Sequence, residues 1–458
     1  MSQQQQQHVR RVLSHNRTIF RRQALSEISG SLGDLGTFLP IVIALTEGHQ
    51  ISLTTTLILT GIYNILTGMF FGIPLPVQPM KAIAAVAILK SLTAGQTAAA
   101  GIFVASCILF FSVTGILAWV TRVIPIPVVK GIQVGAGLSL IIAAGTKATA
   151  SLSWTRPSLA DNYFWVIGAF LLLFSLNAPG PRVARAPYAL VLFIVGLIFA
   201  FVQLAVHERR HLPGFQLWHP WSPRVPSLED WKIGILDAGI GQLPLTTLNS
   251  IIAVTHLAAD LLPEVETPSV TAIGISVASM NLIGCWFGAM PVCHGSGGLA
   301  AQYRFGARSG ASIMFLGFFK LLVGLLFGES LTALLHRFPL ALLTVMIIAA
   351  GLELASVGES LNTERARDLG KEGDSGNTSP ARQHVQLSDE EKKRRWTVML
   401  VTAGLLVAFK NDAIGFLGGM FCHWSYSIPV YQRPQTLSRS ASNIDSDATG
   451  ERQSLLPH

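Results

Sequence analysis

Long apolar runs dominate the sequence and constrain its fold more than any other feature. The runs TTTLILTGIYNILTGMFFGI, AAAGIFVASCILFFSVTGILAWV and YALVLFIVGLIFAFVQLAV each approach the roughly 20 apolar residues that a helix needs to cross a bilayer. Only 13% of the 458 residues are charged, whereas a soluble domain carries about 25%. The sequence therefore predicts an all-α polytopic membrane protein.

The net charge of +8 does not indicate nucleic-acid binding. The basic residues lie in the N-terminal arm, in the EKKRR segment and in short connections between apolar runs. This is the positive-inside pattern, and it predicts a cytosolic location for both termini. The four cysteines lie in apolar surroundings without metal-ligand or disulfide spacing, so we expect neither a metal nor another cofactor.

The apolar runs divide into two sets of seven, each with a short third member. The predicted elements are 27–46, 51–72, 78–90, 97–120, 127–145, 162–178 and 187–206, followed by 232–258, 268–288, 295–304, 311–335, 338–356, 396–410 and 412–428. The predicted organisation is a disordered cytosolic tail (1–26), a first membrane repeat (27–206), an inter-repeat loop (207–231), a second repeat (232–428) with a disordered cytosolic linker (357–395), and a cytosolic tail (429–458).

Local similarities indicate that the two sets are copies of one unit. GDLGTFLPIV (33–42) resembles DAGIGQLPLT (237–246), FGIPLPV (71–77) resembles FGAMPV (287–292), and IPIPVVKGIQVGAGL and FPLALLTVMIIAAGL occupy the fifth places. An odd number of elements per copy turns the second copy upside down. The expected fold is a seven-plus-seven inverted repeat.

Prolines and glycines interrupt the short third element of each copy. Pro74, Pro76 and Pro79 keep the preceding chain extended, because proline lacks the N–H donor and disfavours helix in the residue before it. Pro291 and the glycines that follow it have the same effect in the second copy. Each interruption predicts a half-helix that begins inside the membrane, and inverted symmetry brings the two N-termini together near the midplane.

A pair of half-helix N-termini predicts an anion site, since unpaired N–H groups and the helix dipole attract negative charge. Lys81 would add a full charge, although it could equally form a structural ion pair with Asp34. The other candidate substrate-binding residues are Gln78, His294, Ser296, Gly297, Gln242 and Thr246, and Asp34 and Thr37 are candidates for a coupling or structural role. A structural histidine at 294 is the alternative to a ligand, and threonine in a membrane helix commonly bonds a neighbouring helix.

An enzyme is the competing class of function. Cys293 and His294 could form a nucleophile and base, but adjacent helical residues point in different directions. The sequence contains no G-x-S-x-G and no phosphate-binding loop. We therefore expect a transporter and not an enzyme.

The broken elements also resemble a known family. PVQPMKAIAAVAI (76–88), FGAMPVCHGSGGLAAQYRFGARSG (287–310) and GDLGTFLPIV are similar to signature stretches of the eukaryotic molybdate transporter family, a branch related to the sulfate permeases. The resemblance implies a core domain and a gate domain that move a tetrahedral oxyanion, molybdate or alternatively sulfate, without the cytosolic regulatory domain of larger sulfate permeases. In this family the first signature more often reads Lys-Ser, where this chain has Lys81-Ala82.

Nucleobase carriers of similar architecture are a further alternative. They place a carboxylate in the eighth element, whereas residues 238–255 contain no acid. Glu451, Leu455 and Leu456 match an acidic dileucine sorting signal that adaptor proteins could read, which favours the vacuolar membrane over the plasma membrane. A coupling proton, a homodimer and an oxyanion-sensing role are additional hypotheses.

Overall fold

The computed structural model describes residues 3–33, 35–175, 188–207, 213–215, 223, 225–363, 370–371, 383–384 and 387–427. Helices account for most of them. The first half contains α1 (Gln3–Ser31), α2 (Leu35–Glu47), α3 (Leu53–Phe71), strand β1 (Val77–Pro79), α4 (Lys81–Lys90), α5 (Ala94–Val113), α6 (Ile116–Val123), α7 (Ile126–Ser151), α8 (Tyr163–Ser175) and α9 (Tyr188–His207).

The second half begins with one long helix that changes its winding four times. Its parts are α10 (Leu228–Ile233), the π-helical segment Gly234–Gly239, α11 (Ile240–Leu245), the π-helical segment Thr246–Ala253 and α12 (Val254–Leu261). It is followed by α13 (Val270–Gly284), strand β2 (Val292–His294), α14 (Ser296–Arg304), α15 (Ala311–Leu326), α16 (Thr332–His336), α17 (Leu340–Ser356), the short strands β3 (Gly370–Lys371) and β4 (Gln383–His384), α18 (Asp389–Phe409) and α19 (Asp412–Ser427).

Strands β1 and β2 join the two copies at their centre. They pair antiparallel with Val77 opposite His294, Gln78 opposite Cys293 and Pro79 opposite Val292. Gln78 and Cys293 occupy equivalent positions in the two repeats. If the two repeats are exchanged, the pair Val77–His294 becomes the pair Val292–Pro79, so the register stays the same. The pseudo-two-fold axis therefore passes through the strand pair, and the half-helices α4 and α14 start on either side of it, as predicted.

Helix packing follows the same symmetry. Helix α3 packs along α15 and its counterpart α13 packs along α5, while α7 packs against its own counterpart α17. At that crossing a Cβ on Gly137 would lie 2.6 Å from the carbonyl oxygen of Gly351, and a Cβ on Gly351 would lie 2.7 Å from that of Gly137. These glycines are equivalent in the two copies, so the fold is the predicted seven-plus-seven inverted repeat.

Two groups of helices, to which α1, α2, α6, α8, α9 and α16 are not assigned, are named for use below. The core group contains α3, α4, α5 and α10–α15, and the gate group contains α7, α17, α18 and α19. Among the described residues, six single helices are long and apolar enough to cross a membrane, and the bent pair formed by Ala311–Leu326 and Gly328–His336 could provide a seventh span. Large apolar side chains such as Phe110, Leu171 and Phe318 are exposed on the outer surface, as a lipid-facing surface requires.

The prediction of a disordered tail over 1–26 was wrong for the described residues 3–26, which belong to α1. This helix bends at Gln23, where the backbone leaves the helical region. The buried Asn16 fixes α1 to the core group, since its side chain donates to the carbonyl oxygen of Gly68 (2.9 Å) and accepts from the N–H of Gly310 (3.0 Å). Glutamine itself is a good helix former, so the Gln-rich start does not oppose the helix.

Three predicted spans are broken in the structure. Span 27–46 is interrupted at Leu32 and Gly33, where Gly30 and Gly33 approach Ala307 and Ala301 so closely that a Cβ would lie within 2.8 Å of their backbone atoms. Span 97–120 ends at Val113, because Gly115 adopts a positive φ of 78°. Span 311–335 bends by 106° after Leu326.

The predicted disordered linker 357–395 was wrong at both ends. Residues Val357–Asn362 form a 3-10 helix, β3 pairs with β4, and α18 begins at Asp389. Ser388 accepts a hydrogen bond from the Glu391 N–H (3.2 Å) and caps α18, whose first turn is acidic. Residues 364–369, 372–382 and 385–386 lie outside the described part of the chain, as do the C-terminal tail 429–458 and most of the loop 208–224.

Candidate functional site

Two buried asparagines hold the strands that precede the half-helices. Asn64 Oδ1 accepts from the Val77 N–H (2.9 Å), and Asn281 Oδ1 accepts from the Val292 N–H (2.7 Å) while its Nδ2 donates to the Val292 carbonyl oxygen (2.6 Å). Asn64 and Asn281 lie at the same distance from the start of α3 and α13, twelve residues after Ser52 and Ser269. The same device therefore places both half-helix N-termini.

Gln78 lies across the N-terminus of the second half-helix. A Cβ on Gly298 would lie 2.2 Å from Gln78 Nε2, and a Cβ on Gly295 would lie 1.8 Å from Gln78 Oε1. Only glycine leaves room for the Gln78 side chain at these two positions. These glycines therefore allow the close approach of Gln78 to the start of α14.

Gln242 caps the N-terminus of the first half-helix. Its Oε1 accepts from the backbone N–H of Ala82 (2.8 Å) and of Ile83 (3.3 Å), and its Nε2 donates to Thr246 Oγ1 (2.9 Å). Both side chains are fully buried. An amide oxygen thus occupies the position at helix α4 where an anion would accept the same hydrogen bonds.

The second half-helix meets the π-helical segment of the long helix. Ser296 Oγ donates to Asn249 Oδ1, and Ser250 Oγ donates to Cys293 Sγ (3.2 Å). Widened π-helical turns occur frequently at functional sites. Asn249 of this segment thus reaches α14, and Gln242 of α11 reaches α4, so the long helix contacts the half-helices of both copies.

Lys81 is the first residue of α4 and is partly exposed. None of the ion pairs among the described residues includes it. Asp34, its predicted alternative partner, lies outside the described residues. Thr37 lies in the first turn of α2 and is half-buried. The positive side chain of Lys81 therefore lies beside the N-terminus of the first half-helix.

His294 does not join this group. Gln78 is opposite Cys293 in the strand pair, so the side chains of these two residues lie on the same face. His294 follows Cys293, and successive strand residues point to opposite faces. His294 therefore points away from Gln78. The ring of His294 is fully buried, with Nδ1 3.3 Å from the Pro76 carbonyl oxygen and Nε2 3.0 Å from Ser276 Oγ. The structure favours the alternative in which His294 links β2 to α13.

Apolar side chains of the gate group cover the second half-helix. A Cβ on Gly297 would lie 3.0 Å from Leu140 Cδ1 and 4.0 Å from Leu354 Cδ2. Gly297 is fully buried. The site is thus closed on this side by α7 and α17.

Sequence reasoning missed three buried polar residues of the core group, of which two hold the strands that precede the half-helices. Asn64 and Asn281 could have been found as polar residues at equivalent positions of two apolar helices. The third is Lys320, which is buried in α15 with its Nζ 3.7 Å from the centre of the Phe38 ring. A single charge in the run ASIMFLGFFKLLVGLL is itself a signal of function. Within the described residues, no cluster of three His, Cys, Asp or Glu side chains could hold a metal ion.

Comparison with known proteins identifies the family. The chain matches the family described as "Molybdate transporter of MFS superfamily" over residues 26–140 and 234–354, segments that contain both half-helices and their strands. The chain belongs to this molybdate transporter family. Its halves have seven elements each, whereas the halves of an MFS transporter have six transmembrane helices.

Relatives and solved structures agree with this assignment. The chain is 42% identical to "Molybdate transporter 2" of Arabidopsis thaliana over 375 residues, covering 74% of this chain and 80% of that protein. It is 34% identical to "Molybdate transporter 1" of Chlamydomonas reinhardtii, covering 86% of this chain and 90% of that protein. The solved structure of SLC26A9 superposes with a TM-score of 0.51 at 12% identity, covering 89% of this chain and 65% of that chain, so the two share a fold.

Proposed function

We propose that this protein is a secondary transporter that carries molybdate across a membrane. The observation that carries the proposal is the meeting of two half-helix N-termini, one beside Lys81, in a chain whose relatives are named molybdate transporters. A doubly charged tetrahedral oxyanion suits such a site, because its oxygens accept from several N–H groups at once.

We propose that Lys81 supplies the charge and that side chains and backbone amides supply the hydrogen bonds. The N–H groups of Ser296 and Gly297, in the first turn of α14, donate to no acceptor among the described residues. Gln78, Gln242, Thr246 and Ser296 lie around the two helix starts. At α4 the substrate must replace Gln242 Oε1 as the acceptor, so binding and movement of the long helix are linked.

We propose that transport proceeds by movement of the gate group against the core group. The contact of Leu140 and Leu354 with Gly297 closes one side of the site, and separation of α7 and α17 from α14 would open it. This is the alternating access expected of inverted-repeat carriers.

The experiment is uptake of labelled molybdate into proteoliposomes that contain the purified protein, with excess unlabelled molybdate, sulfate or uracil as competitor. We expect competition by molybdate, little by sulfate, and loss of uptake in Lys81→Ala. The matched control is Lys90→Ala at the exposed end of the same half-helix, where Lys90 pairs with Asp237 (3.1 Å).

Each alternative predicts a different result. Strong competition by sulfate would assign the protein to general oxyanion transport, and inhibition by uracil alone would exclude the anion site. Normal uptake by folded Lys81→Ala would contradict the role of Lys81. Uptake by the purified protein alone would exclude a purely sensory role.

We further propose a vacuolar location, with the plasma membrane as the alternative, on the basis of the dileucine motif at Glu451, Leu455 and Leu456. The motif lies outside the described residues. A coupling proton, recognition by adaptor proteins and a homodimer are parts of the same proposal. A fluorescent fusion with Leu455→Ala and Leu456→Ala that still reaches the vacuolar membrane would show that the motif is not the signal.

A further inference from the structure

A basic cavity lies apart from the candidate substrate site, where the gate group meets α6. It has a volume of about 430 Å³ and is lined by Arg122, Arg394, Arg395 and His423, with one carboxylate from Glu391. The remaining lining side chains come mainly from the turn between α6 and α7. Among the described lining residues there are three guanidinium groups and one carboxylate, so this part of the cavity wall carries net positive charge at neutral pH.

The arginines on α18 are held in place by backbone oxygens of two other elements. Arg395 Nη2 donates to the Leu361 carbonyl oxygen (2.9 Å) and its Nε donates to Asn362 Oδ1 (3.2 Å). Arg394 Nη2 donates to the His423 carbonyl oxygen (3.3 Å), and its guanidinium lies 5.1 Å from the centre of the Tyr426 ring. These bonds fix the position of both guanidinium groups at the cavity wall.

Aromatic side chains place this cavity at the edge of the membrane. Trp119 on α6, Trp396 on α18 and Trp424 on α19 are about half or more exposed, and exposed tryptophans mark the boundary between hydrocarbon and water. Three of the lining residues, Glu391, Arg394 and Arg395, belong to the EKKRR segment at the start of α18. Basic clusters directly outside a membrane helix are typical of sites for anionic lipids.

We propose that this cavity binds the phosphate-bearing headgroup of an anionic phospholipid. The positive-inside pattern puts it on the cytosolic face, where the anionic lipids are found. The phosphate oxygens would accept from Arg122, Arg394 and Arg395, and the acyl chains would lie along the apolar residues beside α6. A free anion could bind the arginines, but its binding would not involve the exposed tryptophans that mark the membrane boundary beside the cavity.

The position gives the lipid a means to affect transport. Helix α6 connects α5, which packs in the core group, with α7, which packs in the gate group. A headgroup held between the α6–α7 turn and α18 fixes the segment that must flex when the two groups move. We therefore expect anionic lipid to change the uptake rate as well as to bind.

The test is binding of soluble dioctanoyl phosphatidylinositol 4-phosphate to the full-length protein in neutral detergent, followed by native mass spectrometry. Dioctanoyl phosphatidylcholine and inorganic phosphate are the comparison ligands. We expect one anionic lipid per chain, and about fivefold weaker binding for Arg122→Gln or Arg395→Gln, since each surface arginine contributes about 1 kcal/mol to such binding. Lys392→Gln is the matched control, because Lys392 is exposed, pairs with Asp389 (3.1 Å) and does not line the cavity.

Arg122 is exposed, so its replacement is compatible with folding even if that of Arg395 is not. Equal binding of phosphatidylcholine, or unchanged binding by Arg122→Gln, overturns the proposal. Competition by equimolar inorganic phosphate would indicate that the ligand is a free anion and not a lipid. Competition by a phosphorylated peptide of residues 433–447 would indicate that the ligand is the C-terminal tail.

Discussion

At the scale of single residues, the sequence indicated which polar side chains gather but not what each does. Gln78, Gln242, Thr246 and Ser296 were predicted at the site and lie around the two helix starts. The capping of α4 by Gln242 could not be predicted, because it depends on the distance between two helices 160 residues apart in sequence. Which of the two roles weighed for His294 the fold favours could not be predicted either, since it depends on the strand pairing that turns the ring away from Gln78.

Asn281 provides a test of how the site is held. Asn281→Ala removes the partners of both the N–H and the carbonyl oxygen of Val292, and each buried group left unpaired costs about 1–3 kcal/mol. We expect a lower melting temperature and a strong loss of molybdate uptake. Thermal unfolding in detergent and uptake into proteoliposomes measure the two effects.

Ser279→Ala is the control for this prediction, because Ser279 lies on the same helix and is exposed. It should leave both quantities unchanged. An Asn281→Ala protein that kept normal uptake would show that the strand does not need this anchor, and Asn64→Ala would then be the stricter test of the other copy.

At the scale of elements, prolines and glycines made the half-helices predictable. Pro74, Pro76, Pro79 and Pro291 act locally, so extended chain before α4 and α14 follows from the sequence alone. The break at Leu32 and Gly33 and the bend after Leu326 do not follow, because they depend on which distant surface the helix meets. The helical state of 3–26 was missed for the same reason: the contacts of Asn16 are with Gly68 and Gly310.

The crossing of α7 and α17 gives a prediction at this scale. A Cβ on Gly137 would lie 2.6 Å from the Gly351 carbonyl oxygen and 2.8 Å from the Ala355 nitrogen. Gly137→Ala must therefore push the helices apart, and we expect destabilisation of about 1–3 kcal/mol with reduced uptake. Thermal unfolding and the yield of monodisperse protein measure this effect.

Gly145→Ala lies on the same helix with nothing within 4 Å of the added Cβ. There alanine should be neutral or stabilise the helix by up to about 1 kcal/mol. Equal effects of the two substitutions would indicate that helix propensity, and not the close crossing, sets the outcome.

At the scale of the whole molecule, the core and gate groups are joined by a buried ion pair that the sequence did not indicate. Lys130 lies inside α7 and is 3% exposed. Its Nζ lies 2.5 Å from Asp260 Oδ2 at the end of the core group and 2.8 Å from Ser360 Oγ after α17. The partner of a buried lysine is a property of the assembled fold, since 130 residues separate these two charges.

This ion pair must break or move with its surroundings if α7 and α12 separate during transport. Asp260→Asn leaves the Lys130 charge buried without its partner, and we expect a loss on the order of 3 kcal/mol. Lys130→Met combined with Asp260→Leu removes both charges and should recover most of the stability while weakening the link between the two groups. Thermal unfolding measures the first effect, and the uptake rate of the double variant measures the second.

Lys90 and Asp237 provide the contrast, because both belong to the core group and their side chains are 52% and 34% exposed. Lys90→Met combined with Asp237→Leu should change stability by less than about 1 kcal/mol and leave the uptake rate unaltered. If the buried and the exposed double variants had the same uptake rate, the Lys130–Asp260 pair would stabilise two elements that do not move relative to each other. A change in uptake confined to the buried pair would identify it as a contact that opens and closes between the core and gate groups.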